Sequence, residues 1–223
     1  MSVVAFDVYG TLVDTAGIAV ELGKKFGDRA AAAARLWREK QLETTFRRAL
    51  MRRYVDFDVC TAQALRYVSA HLGVPLDATA ERALLDAYLE LPAFPDVGRS
   101  LRALAAAGLR LLALTNGTEH SVRALLRHAG LSEHLPLILS ADAARTFKPD
   151  PAVYELLRRA AGLSAQEVWL VSANPFDVIG AKAHGLRAAW VQRDPKTIFD
   201  PWEFRPDLIV RSLEELREQL AAR

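Results

Sequence analysis

The chain has 223 residues, of which 51% are hydrophobic and 25% are charged. This apolar fraction excludes a disordered chain, and the length is enough to bury a large core in one domain, or in one domain that carries an insertion. The formal net charge of +2 is too small to favour nucleic acid as a partner.

Six short apolar runs, each ending abruptly at polar residues, predict β-strands. Strands that are apolar on both faces are typical of a parallel sheet that helices cover on both sides. The six runs are Val3–Phe6, Leu109–Leu114, Leu137–Leu139, Val168–Val171, Ala188–Val191 and Leu208–Val210.

Amphipathic segments between these runs predict helices. They are Val97–Ala107, Glu119–Ala129, Pro151–Ala161, Asp177–His184 and Ser212–Ala222. A glycine lies just past four of them, where a helix commonly ends in left-handed backbone. These glycines are Gly108, Gly130, Gly162 and Gly185. Strand and helix alternate from about Pro95 onward, which predicts a doubly wound α/β fold.

The segment from about residue 15 to residue 92 has a different pattern. Long amphipathic stretches dominate it, and no strand-like run occurs between Ala30 and Tyr88. We interpret it as a helical insertion after the first strand. The predicted domains are a core of residues 1–14 and 93–223 and a helical domain of residues 15–92.

The sequence also bears on location. No segment approaches the roughly 18 consecutive apolar residues of a membrane span, and the first residues lack the basic leader of an export signal. The single cysteine, Cys60, excludes an internal disulfide, which suits a reducing compartment. We therefore expect a cytoplasmic protein with no membrane partner.

Polar residues with possible chemistry follow four of the predicted strands. Ligands of an open parallel sheet bind at the carboxyl ends of its strands. A single aspartate after a strand is usually a helix cap or a turn residue, but four polar strand ends that converge on one edge indicate a site. They supply Asp7 with Thr11, Thr115 with Asn116, Lys148, and Ser172 with Asn174 and Asp177.

In their order along the chain, these residues resemble the four motifs of the haloacid dehalogenase superfamily. The motifs are Asp7-Val8-Tyr9-Gly10-Thr11-Leu12, Thr115-Asn116-Gly117, Lys148-Pro149 and Ser172-Ala173-Asn174-Pro175-Phe176-Asp177. The helical insertion resembles the cap domain of that superfamily, and its segment 36–43 is similar to the L-2-haloacid dehalogenases in particular. The resemblance spans almost the whole chain and implies a doubly wound, Rossmann-like core with an inserted helical cap.

The resemblance implies a role for each catalytic residue. Asp7 would be the nucleophile, since a carboxylate can attack carbon and later be released when the ester hydrolyses. Lys148 would keep Asp7 ionised, and Asp177 would be the base that activates water. The other catalytic residues that it implies are Thr11, which would orient Asp7, Arg38, Ser172 and Asn174.

Arg38 continues an apolar stripe on a predicted cap helix, with Leu42 and Phe46 at i+4 and i+8. An unpaired arginine there is costly unless it meets an anion, although an arginine at the end of a stripe can also extend to solvent. The resemblance implies that the departing halide is bound by Arg38, Asn116 and Phe176. The substrate contacts that it implies are Val8, Tyr9, Leu42, Phe57, Thr115, Asn116, Tyr154 and Phe176.

Two positions favour carbon–halogen chemistry over phosphate chemistry. Phosphatases of this superfamily carry a second aspartate two positions after the nucleophile, where this chain has Tyr9. They also place more acids in the fourth motif to bind magnesium, which requires several oxygen ligands. Here Asn174 leaves Asp177 as the acid of that motif. A halide leaving group needs neither a proton nor a metal.

The sequence thus predicts an (S)-2-haloacid dehalogenase that converts short-chain L-2-haloalkanoic acids to D-2-hydroxy acids, with inversion at C2 and an ester on Asp7. The resemblance implies no metal and no organic cofactor, and it suggests a homodimer. Two alternatives stay open. One is a magnesium-dependent small-molecule phosphatase of the same superfamily, and the other is a non-catalytic member that binds a metabolite or a protein.

Overall fold

The computed structural model describes residues 2–221 of the chain. Within this range, six parallel strands form one sheet, in the order β3-β2-β1-β4-β5-β6. The strands are β1 (Val3–Phe6), β2 (Arg110–Thr115), β3 (Ile138–Ser140), β4 (Val168–Ser172), β5 (Arg187–Val191) and β6 (Leu208–Val210). Each lies within one residue of a predicted run, so the predicted doubly wound α/β sheet is confirmed.

The central strand β1 contributes to a hydrophobic core on each side of the sheet. Val4 and Phe6 belong to one buried cluster, whereas Val3 and Ala5 belong to the other. Successive side chains of a strand point to opposite faces, so an uninterrupted apolar run is what a strand between two helical layers requires. The prediction of two covered faces is wrong for β6. Ile209 is 53% exposed there, because β6 is an edge strand.

In the described part of the chain, five α-helices follow the cap in the core. They are α5 (Val97–Ala106), α6 (Glu119–His128), α7 (Pro151–Ala161), α8 (Pro175–Ala183) and α9 (Leu213–Ala221). Helix α8 begins two residues before its predicted start, because Asn174 is the N-cap and Pro175 takes the first turn, where its missing N–H costs nothing. The predicted end of the last helix at Ala222 lies outside the described residues.

The four glycines that follow the predicted helices all have left-handed backbone. Their φ values are 84° at Gly108, 69° at Gly130, 66° at Gly162 and 83° at Gly185. An L-residue with a side chain is strained in this region, whereas glycine is not. The predicted helix ends are therefore confirmed at these positions.

The cap lies between β1 and α5 and consists of helices. Its α-helices are α1 (Ala19–Phe26), α2 (Ala30–Leu50), α3 (Phe57–His71) and α4 (Ala78–Ala87), and the short 3₁₀ turns Thr15–Ile18 and Gly27–Arg29 precede α1 and α2. The core has further 3₁₀ turns at Ser132–His134, Ala141–Ala144 and Ala165–Glu167. The helical insertion after the first strand is confirmed, while the domain boundaries at 14/15 and 92/93 stay a prediction. None of the helices described is both long and apolar enough to cross a membrane.

Helices α7 and α8 approach each other closely at Gly180. A Cβ atom built there would lie 2.7 Å from Cβ of Pro149 and would also overlap the hydroxyl group of Tyr154. Tyr154 is fully buried, so its ring has no free space into which it could retreat.

We predict that Gly180→Ala lowers the free energy of unfolding by about 1–3 kcal/mol, the usual cost of overpacking a well-packed interior. Gly98→Ala in α5 is the matched control, because its nearest neighbour would be Leu131 at 3.9 Å. The control should be neutral or gain up to about 1 kcal/mol from helix propensity. Urea denaturation of the three proteins measures the difference, and equal stability of the two variants would contradict the prediction.

Candidate active site

The side chain of Asp7 lies directly after β1 at the carboxyl edge of the sheet and is only 5% exposed. Its Oδ2 atom accepts hydrogen bonds from Thr11 Oγ1 at 2.7 Å and from Asn174 Nδ2 at 2.7 Å. Ser172 Oγ lies 3.4 Å from the same oxygen. Three donors therefore converge on one oxygen of the carboxylate.

The other oxygen of Asp7 faces Lys148. The Lys148 Nζ atom donates to Asp7 Oδ1 at 3.1 Å, to Asp177 Oδ2 at 2.8 Å and to the Leu114 carbonyl at 2.6 Å. All three N–H groups of the ammonium are used, and the side chain is 1% exposed. Burial alone would lower the pKa of Lys148, but the Asp177 and Asp7 carboxylates outweigh it and raise the pKa above its ordinary value.

Asp177 lies in the first turn of α8 and is fully buried. Burial raises the pKa of its carboxyl group, and the nearby Lys148 offsets only part of that increase. Tyr154 donates a hydrogen bond to Asp177 Oδ1 at 2.9 Å, which also favours the ionised form. Asp177 is therefore a carboxylate with an elevated pKa beside the Asp7–Lys148 pair, which suits a general base.

Tyr154 was predicted to contact the substrate, but its side chain is fully buried. Its side chain belongs to the buried cluster beneath the sheet, and its hydroxyl group contacts the side chain and the backbone carbonyl of Asp177. The sequence pattern could not reveal this, because the contact depends on how closely α7 packs against α8 at Gly180. Tyr154 therefore holds the Asp177 carboxylate in place by a hydrogen bond.

Thr11 and Asn174 link the turn after β1 to the end of β4. Thr11 Oγ1 accepts the backbone N–H of Ala173 at 2.9 Å while its proton goes to Asp7. Asn174 Nδ2 also donates to the Tyr9 carbonyl at 3.1 Å. These bonds fix both side chains, so Asp7 Oδ2 is held in a prearranged environment.

Thr115 and Asn116 end β2 beside the Lys148 loop. Asn116 Oδ1 accepts the backbone N–H of Lys148 at 2.8 Å, which leaves its amide nitrogen as the donor for a ligand. Thr115 is fully buried, and its hydroxyl oxygen accepts the Gly117 N–H at 3.1 Å. The end of β2 is thereby tied to the loop that carries the ammonium group.

Arg38 reaches from cap helix α2 into the core. Its Nη2 atom donates to the Tyr9 carbonyl at 3.3 Å and lies 3.5 Å from Asn174 Oδ1. Its Nη1 atom donates to Gln41 Oε1 at 2.7 Å. Arg38 therefore faces the site, and its guanidinium group does not extend to solvent.

The sequence analysis missed Gln41. This side chain is fully buried on α2, donates to Thr61 Oγ1 at 2.6 Å and accepts from Tyr88 as well as from Arg38. A glutamine three residues after the arginine, one turn along the same helix, is the signal that could have identified it. Gln41 orients the guanidinium group of Arg38.

Apolar side chains surround the site on the cap side. The Tyr9 ring lies 5.3 Å from the Phe57 ring and 5.9 Å from the Tyr88 ring, and Val8 is buried in the same cluster. Burial raises the pKa of Tyr9 well above its ordinary value. Its hydroxyl group is therefore a poor proton donor to a leaving group.

The three predicted halide ligands border the site from different directions. Arg38 approaches through Asn174, Asn116 lies against Lys148, and Phe176 packs edge-on against Phe46 of the cap at 5.1 Å. Within residues 2–221, no hydrogen bond or ring contact joins these three side chains to one another. Leu42, half-buried on α2, lies one turn beyond Arg38.

A cavity of about 440 Å³ adjoins Lys148 and Phe176 at the seam between cap and core. Phe46 and Ala49 of α2 line one side, and Phe147 lines the other.

The acids of the site are arranged around an ammonium group. Among the described residues, no group of three or more His, Cys, Asp or Glu side chains could hold a metal ion. Asp7 and Asp177 each form an ion pair with Lys148, at 3.1 and 2.8 Å.

Comparisons with known proteins identify the class of hydrolase to which this fold and this arrangement belong. A model of the haloacid dehalogenase-like hydrolases matches residues 1–185. The (S)-2-haloacid dehalogenase of Pseudomonas sp. (strain YL) is 41% identical over 96% of this chain and 92% of its own length. Haloacetate dehalogenase H-2 of Moraxella sp. (strain B) is 35% identical over 98% of this chain and 97% of its own length.

Solved structures give the same result. The L-2-haloacid dehalogenase from Xanthobacter autotrophicus with chloropropionic acid covalently bound has a TM-score of 0.91 and 32% identity, over 99% of this chain and 98% of that chain. The chain therefore belongs to the haloacid dehalogenase-like hydrolase family and resembles its L-2-haloacid dehalogenases over nearly its full length.

Removing the Lys148 ammonium group should make the stability of the protein depend on pH. We predict that Lys148→Met lowers the free energy of unfolding by about 3–5 kcal/mol at pH 8, because it leaves buried carboxylates uncompensated. Without the ammonium group, the pKa of Asp177 rises further above its value in the unfolded chain. Folding then takes up a proton, so the deficit should shrink as the pH falls from about 8 to about 5.

Urea denaturation at both pH values measures this effect. Lys182→Met is the control, since it removes a partly exposed ion pair with Asp207 at 2.8 Å and should cost at most about 1 kcal/mol at either pH. If Lys148→Met lowers the free energy of unfolding equally at both pH values, the prediction that Lys148 compensates the buried Asp7 and Asp177 is contradicted.

Proposed function

We propose that this enzyme hydrolyses short-chain L-2-haloalkanoic acids to D-2-hydroxy acids, with inversion at C2 and through an ester on Asp7. The observation that carries the proposal is the inequality of the two Asp7 oxygens. Oδ2 is held by Thr11 and Asn174, whereas Oδ1 has Lys148 as its hydrogen-bond donor. In such a carboxylate, one oxygen is held in place and the other is oriented to attack the substrate.

In the first step, Asp7 Oδ1 attacks C2 from the side opposite to the halogen. The new carbon–oxygen bond forms as the carbon–halogen bond breaks, so configuration at C2 inverts and the halide leaves with the electron pair. No proton transfer is required. The Lys148 ammonium group forms an ion pair with Asp7 and offsets the negative charge of the substrate.

The surroundings of Asp7 suit the remaining parts of such a substrate. Arg38, the amide nitrogen of Asn116 and the ring edge of Phe176 would bind the departing halide. The substrate carboxylate would lie at the Thr115–Asn116 corner, and its alkyl part would contact the apolar wall. That wall would consist of Val8, Tyr9, Leu42 and Phe57, which also exclude water from the first step.

In the second step, Asp177 takes a proton from a water molecule that attacks the carboxyl carbon of the Asp7 ester. Ser172 and Asn174 would help to hold this water. The bond from that carbon to Oδ1 breaks as Asp177 returns the proton to Oδ1, so the product hydroxyl group carries an oxygen from the enzyme and Asp177 is again a carboxylate. The donors from Thr11 and Asn174, with Ser172 farther away, stabilise the negative charge that develops on Oδ2.

The two alternatives are less well supported. A phosphatase would need a general acid at position 9, and the buried Tyr9 is a poor one because its pKa is raised. It would also need several oxygen ligands for magnesium, and Asn174 leaves Asp177 as the acid of the fourth motif. A mere binding protein would gain nothing from a buried nucleophile that faces a second acid.

We also propose that the enzyme acts in the cytoplasm as a homodimer, without metal or organic cofactor and without a nucleic-acid partner. The single cysteine, Cys60, suits a reducing compartment, and the net charge of +2 does not favour a polyanion. Light scattering coupled to size-exclusion chromatography tests the dimer.

The decisive test is halide release from L-2-chloropropionate in the presence of a chelator. We expect full activity with chelator, no activity on the D enantiomer, and loss of turnover in Asp7→Asn, which removes the nucleophile. In ¹⁸O-water with enzyme in excess, the label should enter Asp7 and be absent from the first product. Magnesium-dependent phosphate release without halide release would overturn the proposal.

The position of Tyr154 leads to a pH prediction. Because burial raises the pKa of Asp177, we expect the acid limb of the pH–kcat profile to lie above the ordinary aspartate value of about 3.9. Tyr154→Phe removes a hydrogen bond that favours ionised Asp177, so the limb should move to higher pH by about one unit. At pH values above this acid limb, kcat should change less. An unchanged limb in the pH–kcat profile would show that Asp177 is not the titrating base.

A further inference from the structure

A largely buried ion pair lies outside the catalytic residues. Arg193, in the loop after β5, donates from Nη1 to both carboxylate oxygens of Asp96 at 2.8 and 2.9 Å. The guanidinium carbon lies 4.3 Å from the centre of the Phe94 ring. Asp96 Oδ2 also accepts the backbone N–H of Leu213 at 2.7 Å. The pair is thus fixed on several sides.

The same guanidinium group reaches the nucleophile loop. Its Nη2 and Nε atoms both donate to the Thr11 carbonyl, at 2.8 and 3.3 Å. Thr11 is fully buried, and its hydroxyl group holds Asp7 Oδ2 at 2.7 Å. A continuous series of contacts therefore runs from Asp96 through Arg193 and Thr11 to Asp7.

The ion pair also lies at the two chain crossings between cap and core. Residues 12–14 pair with residues 92–94, and the Asp14 N–H donates to the Pro92 carbonyl at 2.8 Å. Arg193 donates to the carbonyl of Thr11, just before segment 12–14, and Asp96 lies two residues after segment 92–94. The pair thus fixes the base of the cap and the turn that carries Thr11 at the same time.

We propose that Arg193 is a positioning residue for the dehalogenation reaction, held by Asp96. By binding the Thr11 carbonyl, it turns the Thr11 hydroxyl group toward Asp7 Oδ2 and so leaves Oδ1 as the attacking oxygen. This inference rests on the proposed function, because it assigns Arg193 to the reaction of Asp7.

The chemistry of arginine is essential to this arrangement. Three nitrogens of one planar group serve two acceptors in different directions, Asp96 on one side and Thr11 on the other. A lysine ammonium has a single nitrogen on a flexible stem and cannot reproduce this fork. Arg193→Lys should therefore fail to restore activity, although it keeps the charge.

A double-mutant cycle separates this role from simple stabilisation. The variants are Arg193→Met, which keeps the apolar stem, Thr11→Val, and the two together. The readouts are the single-turnover rate of ester formation on Asp7 from L-2-chloropropionate, by mass spectrometry after quenching, together with KM and the melting temperature. All rates are taken well below the lowest melting temperature.

We expect Arg193→Met to slow ester formation on the order of tenfold with little change in KM, as a displaced reacting group does. In the Thr11→Val background, the same substitution should have almost no further effect, because the group through which Arg193 acts is gone. Lys182→Met, which removes an ion pair of the core far along the chain from Thr11, should leave the rate unchanged. Asp96→Asn should give a smaller, equally Thr11-dependent loss.

Equal losses in both backgrounds, or no loss in Arg193→Met, would overturn the inference while the wild type still releases halide. A wild type that releases no halide would instead refute the proposed function, and the role of Arg193 with it. If Arg193→Met does not fold, the milder Asp96→Asn cycle with Thr11→Val decides the question by the same comparison.

Discussion

The site depends on one buried ammonium group between two carboxylates. Removing Asp7, Asp177 and Lys148 from water costs several kcal/mol for each charge, and only close pairing offsets that cost. Lys148 makes that pairing complete, since its third proton goes to the Leu114 carbonyl. The arrangement is therefore restrictive, because a shift of Lys148 leaves both buried carboxylates without a counter-charge.

The parallel sheet makes this pairing possible. Asp7 follows β1, which lies between β2 and β4, and Asp177 lies in the first turn of the helix after β4. Lys148 comes from the loop after β3 and reaches across the end of β2 to both acids. Residues 141 and 29 positions from Lys148 in the sequence thus meet at one sheet edge, where a parallel sheet collects its ligands.

The sequence alone predicted most of the framework, because strands with two apolar faces and glycines after helices are local signals. It also identified the residues at the strand ends, since their order matches a known set of motifs. It could not predict how side chains on separate elements meet. Tyr154 faces Asp177 because α7 and α8 touch at Gly180, and Gln41 of α2 donates a hydrogen bond to Thr61 of α3. Such contacts depend on packing, which leaves no periodic trace in the sequence.

The unequal environments of the two Asp7 oxygens connect both halves of the proposed reaction. Before attack, Thr11 and Asn174 hold Oδ2 and so orient Oδ1 toward the substrate. After attack, Oδ2 is the carbonyl oxygen of the ester, and the same donors face the charge that develops when water adds. One fixed pair of donors can therefore serve a substitution at carbon and a hydrolysis at a carboxyl group. For this reason the enzyme needs no rearrangement of Asp7 between the steps, and the donors need only stay where the turn after β1 holds them.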